Sequence, residues 1–317
     1  MLTAGDGRQI LAMRIFTDSA PRGAIDPAHE VRGEAARVRD NLGGAGAVIA
    51  IASAKGGVGK SVIAVNIAAA IAMRGRKVAI VDADLNAPSV TRMLGMKPPR
   101  GLPMVEGIEP LAGPHGIRVV SSEMIAGGEP PPISFLDDAG AETAVGDSAQ
   151  EAGYRESIVR MLSLTRFGAL DVVIIDLAPG MDRLHQLAQI APLGGVILVS
   201  HSSEQAVAAT RTLIRLAAKI GAPVAGLIEN MSGFNCDGCR SVRPLMPEGN
   251  LAGLATEFGL PVLTRLPFDS RLAEASDRGV LFVHQYEETP LGKSLVKLAQ
   301  DIERKAALTR GATYSAA

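Results

Sequence analysis

The sequence predicts an α/β fold, a doubly wound and mainly parallel sheet with helices on both faces. Short, continuous apolar runs alternate along the chain with stretches of helical periodicity, and this alternation is typical of parallel sheets that are covered on both sides. The first apolar run leads straight into a glycine-rich loop, which a helical stretch follows. With 317 residues, of which 47% are hydrophobic, the chain can bury the core that such a sheet requires.

The first 45 residues differ from the rest of the chain. They show no sustained periodicity, and prolines and glycines recur in them. We therefore expect residues 1–45 to be a poorly ordered extension, although a short helix around Glu30 to Asp40 is compatible with the pattern. One folded domain is expected over residues 46–310.

The elements of this domain follow from local patterns. A continuous apolar run from Ala47 to Ser53 predicts a strand that is buried on both faces. A helix is expected from Ser61 to Arg74, with apolar residues at helical spacing and Gly75 as its stop. Further strands are predicted at Lys77 to Val81, Ile117 to Val120, Val172 to Ile175, Val196 to Val199, Val224 to Ile228 and Pro261 to Leu266.

Two segments stand outside this simple alternation. Residues 127–153 contain three consecutive prolines, small residues and several acids, which favours a mobile surface loop. The last helix is predicted from Leu291 to Leu308. Core packing is the favoured role of its apolar stripe, because the stripe is short and lacks aromatic residues, and a membrane-targeting helix is the alternative. The stripe consists of Leu291, Leu295, Leu298 and Ile302.

Charge and composition bear on the expected partners. The chain has 32 basic and 33 acidic side chains, so no long-range field draws it to nucleic acid or to anionic lipid. No apolar run approaches the roughly 20 residues that span a bilayer, and the start of the sequence lacks the apolar core of a signal peptide. We expect a cytoplasmic protein that binds neither nucleic acid nor a membrane.

The loop from Lys55 to Ser61 carries the clearest chemistry. Its glycines let backbone N–H groups turn inward, so phosphate oxygens meet several donors and the positive end of the following helix. Lys60 is expected to neutralise the outer phosphates of a nucleoside triphosphate, and the Ser61 hydroxyl to bind Mg²⁺. The residues predicted to contact the nucleotide here are Ala54, Lys55, Gly56, Gly57, Val58, Gly59, Lys60, Ser61 and Val62.

Carboxylates follow two of the predicted strands. Asp82 and Asp84 come at the end of the second strand, and Asp176 follows the strand from Val172 to Ile175. Because the carboxyl ends of parallel strands meet at one edge, these side chains should face the phosphate site. Asp82 or Asp84 can orient the attacking water, or merely cap the next helix. Asp176 stands where an acid that holds Mg²⁺ through water is expected.

The loop resembles the deviant phosphate loop of dimerising P-loop ATPases, the group that includes MinD, ParA and the nitrogenase iron protein. The strict pattern has glycine where this chain has Ala54, and this chain adds Lys55 at the start of the loop. The resemblance implies that Lys55 reaches the phosphates of a partner subunit, so that catalysis depends on dimerisation. It also implies that Asp84 positions the attacking water and that Asp82 supports the direct ligands of Mg²⁺.

The chain has two cysteines, Cys236 and Cys239. In a reducing compartment this spacing indicates metal or redox chemistry more than a structural disulfide. Thiolates suit iron–sulfur clusters or zinc, and two of them fill half of a four-ligand site. A symmetric dimer would bring four sulfurs together. Zinc, a redox dithiol, and a pair without any metal stay open as alternatives.

The run from Glu229 to Cys239 resembles the Glu-Asn-Met-Ser…Cys-X-X-Cys segment of the Mrp/ApbC family, which are ATP-dependent carriers of iron–sulfur clusters. The resemblance covers about residues 47–305. It implies an ATP-hydrolysing homodimer in which Cys236 and Cys239 of both subunits bridge a 4Fe-4S cluster. The cluster would be handed to apo iron–sulfur proteins, and Asn230 would contact the adenine.

Two stretches depart from the pattern of that family. Tyr154 to Ser157 stands where the family has Trp-Arg-Gly-Pro, and Met181 to Arg183 stands where it has Thr-Gly-Asp. The second departure bears on the rate of hydrolysis more than on nucleotide binding. Two other functions stay open, a positioning ATPase of the MinD/ParA type and a nucleotide-binding regulator with little turnover.

Overall fold

The structure is a computed structural model, which describes residues 27–97, 107–124, 147–235, 242–246 and 250–313. The strands are β1 (Ala45–Ala52), β2 (Val78–Ala83), β3 (Leu111–Ala112), β4 (Arg118–Ser121), β5 (Leu170–Leu177), β6 (Gly195–Ser200), β7 (Val224–Asn235), β8 (Val242–Arg243) and β9 (Val262–Phe268). The helices are α1 (Pro27–Gly43), α2 (Lys60–Met73), α3 (Val90–Met93), α4 (Asp147–Leu164), α5 (Met181–Ile190), α6 (Glu204–Lys219), α7 (Leu251–Glu257), α8 (Ser270–Asp277), α9 (Phe282–Gln285) and α10 (Pro290–Thr313).

Within these ranges the strands form one sheet in the order β3-β4-β2-β5-β1-β6-β7-β8, and β9 also pairs with β7. The pairs β3–β4 and β7–β8 are antiparallel, whereas β1, β2, β4, β5, β6, β7 and β9 pair in parallel. The central strand β1 lies between β5 and β6, so the loop that follows it leaves the middle of the sheet. Ligands of open α/β sheets bind at this carboxyl edge.

Helices cover both faces of the sheet. Alternate residues of β1 belong to different apolar clusters: Val48 and Ala50 pack with α1 and α4 to α7, and Ile49 and Ile51 with α2 and α8 to α10. This period of two matches strands that are buried on both faces. The predicted doubly wound, mainly parallel α/β fold is therefore confirmed, with β7 continuing seven residues beyond the predicted end at Ile228.

The expectation of a poorly ordered extension over residues 1–45 does not hold for residues 27–43, where the short helix allowed around Glu30 to Asp40 is present and longer than expected. Residues 27–43 form α1, and the side chains of Val38 and Leu42 are buried against the sheet. The Asn41 amide also donates hydrogen bonds to the carbonyls of Leu162 and Ser163 on α4, at 3.1 and 2.8 Å. The pattern allows a helix here, whereas its docking depends on these contacts with α4, which is distant in the sequence. Residues 1–26 lie outside the described residues.

The last part of the segment 127–153, predicted as a mobile surface loop, is helical instead. Residues 147–153 belong to α4, and residues 127–146 lie outside the described part of the chain. The helix extends from Tyr154, Ile158 and Leu162, which are buried, back through Ala149 to Ala152, whose sequence has favourable helix propensity.

The apolar stripe of the last helix packs in the core. Leu291, Leu295, Leu298 and Ile302 are all less than 5% exposed, so the preferred interpretation is confirmed and these side chains are not available to a membrane. None of the helices in the described ranges is long and apolar enough to cross a bilayer.

Candidate functional site

The glycine loop connects the carboxyl end of β1 to α2. Gly57 and Gly59 have φ angles of 76° and 82°, which glycine adopts readily and other residues avoid. Gly59 stands at the N-terminus of α2, and no side chain in the described residues caps this end. The first N–H groups of α2 are thus available to an anion, and the positive end of the helix dipole faces it.

A buried ion pair lies behind this loop. The Lys60 ammonium is 2.6 Å from Asp176 Oδ1, with the two side chains 6% and 0% exposed. The same ammonium contacts the Ser61 hydroxyl at 3.2 Å. Burial raises the pKa of Asp176, and the Lys60 ammonium and the Ser61 hydroxyl oppose this effect. Lys60, Ser61 and Asp176, all predicted site residues, therefore lie together.

One oxygen of this pair has no partner. Asp176 Oδ2 is buried and makes no hydrogen bond to any described residue. Buried carboxylate oxygens are normally satisfied by a donor, a water or a cation. A water or a cation beside this oxygen would satisfy it.

Asp82 lies beside Asp176 on the neighbouring strand, in register with it. Its carboxylate accepts backbone N–H bonds from Ser89 at 2.7 Å and Val90 at 2.9 Å through Oδ2, and from Asp84 at 3.1 Å through Oδ1. Burial and the charge of Asp176 raise the pKa of Asp82 to about 7. Asp82 thus caps the start of α3, which is the alternative that the sequence left open.

Asp84 lies one residue beyond β2 and is half-buried. Its Oδ1 atom accepts the backbone N–H of Ala87 at 3.1 Å, which closes the turn that follows β2. The second oxygen, Oδ2, is not used in this turn, so a role in orienting water stays a prediction.

Lys55 contacts its own chain in this structure. Its ammonium donates to Gln205 Oε1 on the first turn of α6 at 3.0 Å. Burial and the charge of Lys55 lower the pKa of the neighbouring His201. The contact holds Lys55 at the rim of the loop, and its reach to a partner subunit stays a prediction.

Asn230, which lies on β7, packs directly against the glycine loop. Its side-chain amide donates to the Val58 carbonyl at 2.8 Å. The contact with Gly59 is so close that a Cβ at that position would lie 2.3 Å from Asn230 Nδ2. The structure therefore places Asn230 at the loop, and its predicted contact with adenine is not tested.

The cysteine pair lies outside the described residues. Chain segments on either side of it are described, and they pair as the antiparallel strands β7 and β8, with Asn235 opposite Val242. Among the described residues, no group of three or more His, Cys, Asp or Glu side chains could hold a metal ion. The ligands predicted for the cluster, Cys236 and Cys239, stay a prediction.

Sequence reasoning missed the contacts that fasten the loop to its surroundings. The Gly180 N–H donates to the Ser53 carbonyl at 3.0 Å, and the Ser53 hydroxyl donates to the Lys55 carbonyl at 2.9 Å. Ser53 and Gly180 lie more than 120 positions apart along the chain, so no local pattern could have linked them. The same holds for Lys55 and Gln205.

Comparison with known proteins decides the family. The sequence pattern of the ParA group described as NUBPL iron-transfer P-loop NTPase matches residues 44–303. The chain belongs to this family. An iron-sulfur cluster carrier protein from Saccharolobus solfataricus is 34% identical over 256 residues, which are 80% of this chain and 82% of that protein. A Brugia malayi homolog of the cytosolic Fe-S cluster assembly factor NUBP1 is 31% identical over 275 residues, 84% of each chain.

Solved structures agree with this placement. A nucleotide-binding protein from Archaeoglobus fulgidus, solved in complex with ADP, has 28% identity and a TM-score of 0.64, covering 82% of this chain and 95% of that one. The cell division ATPase MinD of Pyrococcus furiosus has 22% identity and a TM-score of 0.57, covering 82% and 99%. The second likeness concerns the fold alone. This chain is thus a nucleotide-binding P-loop NTPase of an iron-transfer family.

Proposed function

We propose that this protein is an ATP-hydrolysing carrier of iron–sulfur clusters that works as a cytoplasmic homodimer. Its cargo would be a 4Fe-4S cluster that it hands to apo iron–sulfur proteins. The observation that carries the proposal is Asp176 Oδ2, a buried oxygen with no partner among the described residues, beside Lys60 in a chain of an iron-transfer NTPase family.

The residues at this edge of the sheet fit ATP and Mg²⁺. The loop offers backbone donors at the start of α2, and Lys60 supplies a positive charge for the outer phosphates. The Ser61 hydroxyl and the Asp176 carboxylate are oxygen ligands of the kind that Mg²⁺ prefers, the second one through water. When bound, Mg²⁺ would offset the negative charge of the phosphates.

Hydrolysis requires water to attack the terminal phosphorus while the bond to the ADP oxygen breaks, which yields ADP, phosphate and a proton. Asp84 is the residue proposed to orient this water. Lys55 is proposed to leave Gln205 and to contact the phosphates of the partner subunit. This exchange would make hydrolysis depend on dimerisation.

Cys236 and Cys239 would be the ligands of the cluster that the dimer carries. Two thiolates from each subunit complete the four ligands of a 4Fe-4S cluster on the dimer axis. Asn230 and Asn235 belong to the same strand, β7. One strand therefore runs from the loop to the position after which Cys236 follows in the sequence.

Anaerobic reconstitution with iron and sulfide tests the cargo. We expect a visible charge-transfer absorption, about four irons per dimer, and loss of both in Cys236→Ala and Cys239→Ala. Lys60→Met is the matched control, because it should lose hydrolysis and still take up the cluster. Absence of the absorption, or its retention in both cysteine variants, would contradict a cluster held by this pair. Zinc in the purified protein would favour the alternative metal.

Sedimentation tests the expected lack of nucleic acid and membrane partners. We expect the protein to stay in the supernatant with DNA or with anionic liposomes, both with ATP and without it. ATP-dependent sedimentation with either would instead favour a positioning ATPase.

A further inference from the structure

Tyr154 on α4 holds the backbone of the turn that follows β2. Its side chain is 2% exposed, and its hydroxyl donates to the Ala83 carbonyl at 2.5 Å. Ala83 lies between Asp82 and Asp84, so this bond fixes the backbone from which both carboxylates project. Burial raises the pKa of Tyr154 above its ordinary range, which keeps the hydroxyl a proton donor.

Arg183 on α5 contacts the same ring from another side. Its guanidinium carbon lies 3.8 Å from the centroid of the Tyr154 ring, which is a short cation–π distance. Arg183 belongs to the first turn of α5, three residues after Gly180, whose N–H donates to the Ser53 carbonyl. Pro179 also lies against the loop, 3.8 Å from the position of a Cβ at Gly56.

Tyr154 therefore joins two segments that flank the phosphate site. Its hydroxyl contacts the end of β2, and its ring face contacts the start of α5. Tyr154 and Arg183 also stand in the two stretches that depart from the sequence pattern described above, and the structure brings these departures into contact.

We propose that Tyr154 and Arg183 are positioning residues for the hydrolysis reaction, which couple the turn after β2 to the segment after β5. The terminal phosphate of ATP would be met by both segments together, whereas ADP, which is held by the loop and Lys60, would not depend on their coupling. This inference rests on the proposed function, because it concerns the same nucleotide site.

Single substitutions separate the two halves of the contact. Tyr154→Phe removes only the hydroxyl. Arg183→Gln removes the cation over the ring, together with the hydrogen bond that the guanidinium donates to Gln186 Oε1 at 3.4 Å. We expect each to lower kcat for ATP at least fivefold and to change the Kd for ADP less than twofold. The affinity for a non-hydrolysable ATP analogue, measured relative to ADP by calorimetry, should fall at least fivefold. The double variant should have a kcat no lower than that of the more impaired single variant, because the two contacts act in series through Tyr154.

A second arginine–tyrosine pair provides the matched control. The Arg271 guanidinium carbon lies 5.3 Å from the Tyr286 ring centroid, on elements that contribute no predicted site residue. Arg271→Gln and Tyr286→Phe should leave kcat and both affinities within twofold of the unsubstituted protein. Arg183→Lys retains a cation and should recover part of the lost kcat.

Two results would overturn the inference. The first is a kcat and an affinity ratio within twofold of the unsubstituted protein in both variants. The second is a parallel fall of kcat, ADP affinity and thermal stability, which ordinary packing would produce. If Tyr154→Phe does not fold, kcat and the affinity ratio are measured on Arg183→Gln, which changes a half-buried side chain. If the unsubstituted protein does not hydrolyse ATP, the proposed turnover fails, and the affinity ratio still decides the inference.

Discussion

The carboxyl ends of β2 and β5 each carry a buried aspartate, and the two aspartates differ in their hydrogen-bond partners. Asp82 and Asp176 are register partners, and both side chains are fully buried. Asp82 accepts hydrogen bonds from three backbone N–H groups, whereas Asp176 pairs with the Lys60 ammonium and keeps one oxygen without a partner in the described residues. Burial alone therefore does not distinguish them. Their partners do: backbone N–H groups hold Asp82, whereas the open oxygen of Asp176 is the one that we propose meets a ligand.

Asp176→Asn should have the largest effect. It leaves the Lys60 ammonium buried without a counter-ion, so the free energy of unfolding of the nucleotide-free protein should fall by about 3 kcal/mol. Hydrolysis of ATP should fall roughly 100-fold, because a ligand of the Mg²⁺–phosphate group is lost. Denaturant unfolding and steady-state phosphate release measure the two effects.

The double variant Lys60→Met with Asp176→Asn separates stability from hydrolysis. Without the buried cation, the free energy of unfolding should return toward that of the unsubstituted protein, while hydrolysis stays lost. If Asp176→Asn alone has the same free energy of unfolding as the unsubstituted protein, the ion pair with Lys60 does not stabilise the fold.

Asp82→Ala should affect stability more than the nucleotide site. Its loss leaves the N–H groups of Ser89, Val90 and Asp84 without their acceptor and α3 without its cap, so the free energy of unfolding should fall by about 1–2 kcal/mol. The affinity for ADP should change less in Asp82→Ala than it does in Asp176→Asn. Loss of hydrolysis with unchanged stability would place Asp82 with the metal and remove the contrast between the two carboxylates.

Asn230→Ala tests a contact on the other side of the loop. Losing the bond to the Val58 carbonyl should weaken the binding of both ADP and GDP by about threefold to tenfold, which corresponds to about 1 kcal/mol. The loss common to both nucleotides measures support of the loop, and any additional loss for ADP measures a contact with adenine. Asn230→Asp keeps the shape without the donor and should be at least as weak. Unchanged affinities would show that neither contact matters.

The parts of this structure that the sequence predicts are those encoded locally. The apolar run before Lys55, the glycines and the helix after Ser61 are contiguous, and together they predict the loop and its edge of the sheet. The capping of α3 by Asp82 depends on how the chain returns at Ser89, which spacing does not encode. Helix α1 needs a partner about 120 residues away, because Asn41 bonds to the end of α4.

Asp269, the residue after β9, is the carboxylate for which we expect the smallest effect on the free energy of unfolding. It caps α8 by accepting the Arg271 N–H at 3.0 Å, and its carboxylate also pairs with the Arg271 guanidinium at 2.6 Å. The hydrogen bond from Arg271 lowers the pKa of Asp269 from its ordinary value, and partial burial opposes this effect. The stabilisation is therefore present above the pKa of the unfolded chain and is lost as the pH falls through the lowered pKa of the folded state.

Asp269→Asn isolates this charge, because asparagine is an equally good cap. The difference in free energy of unfolding from the unsubstituted protein should be about 0.5 kcal/mol near neutral pH, as for an exposed ion pair. It should approach zero at an acid pH below the lowered pKa of Asp269. Asp269→Ala should lose the cap as well and stay destabilised by about 1 kcal/mol at both pH values. Urea unfolding across this range measures both variants, and a difference that grows toward acid pH would show that Asp269 resembles the buried carboxylates more than an exposed cap.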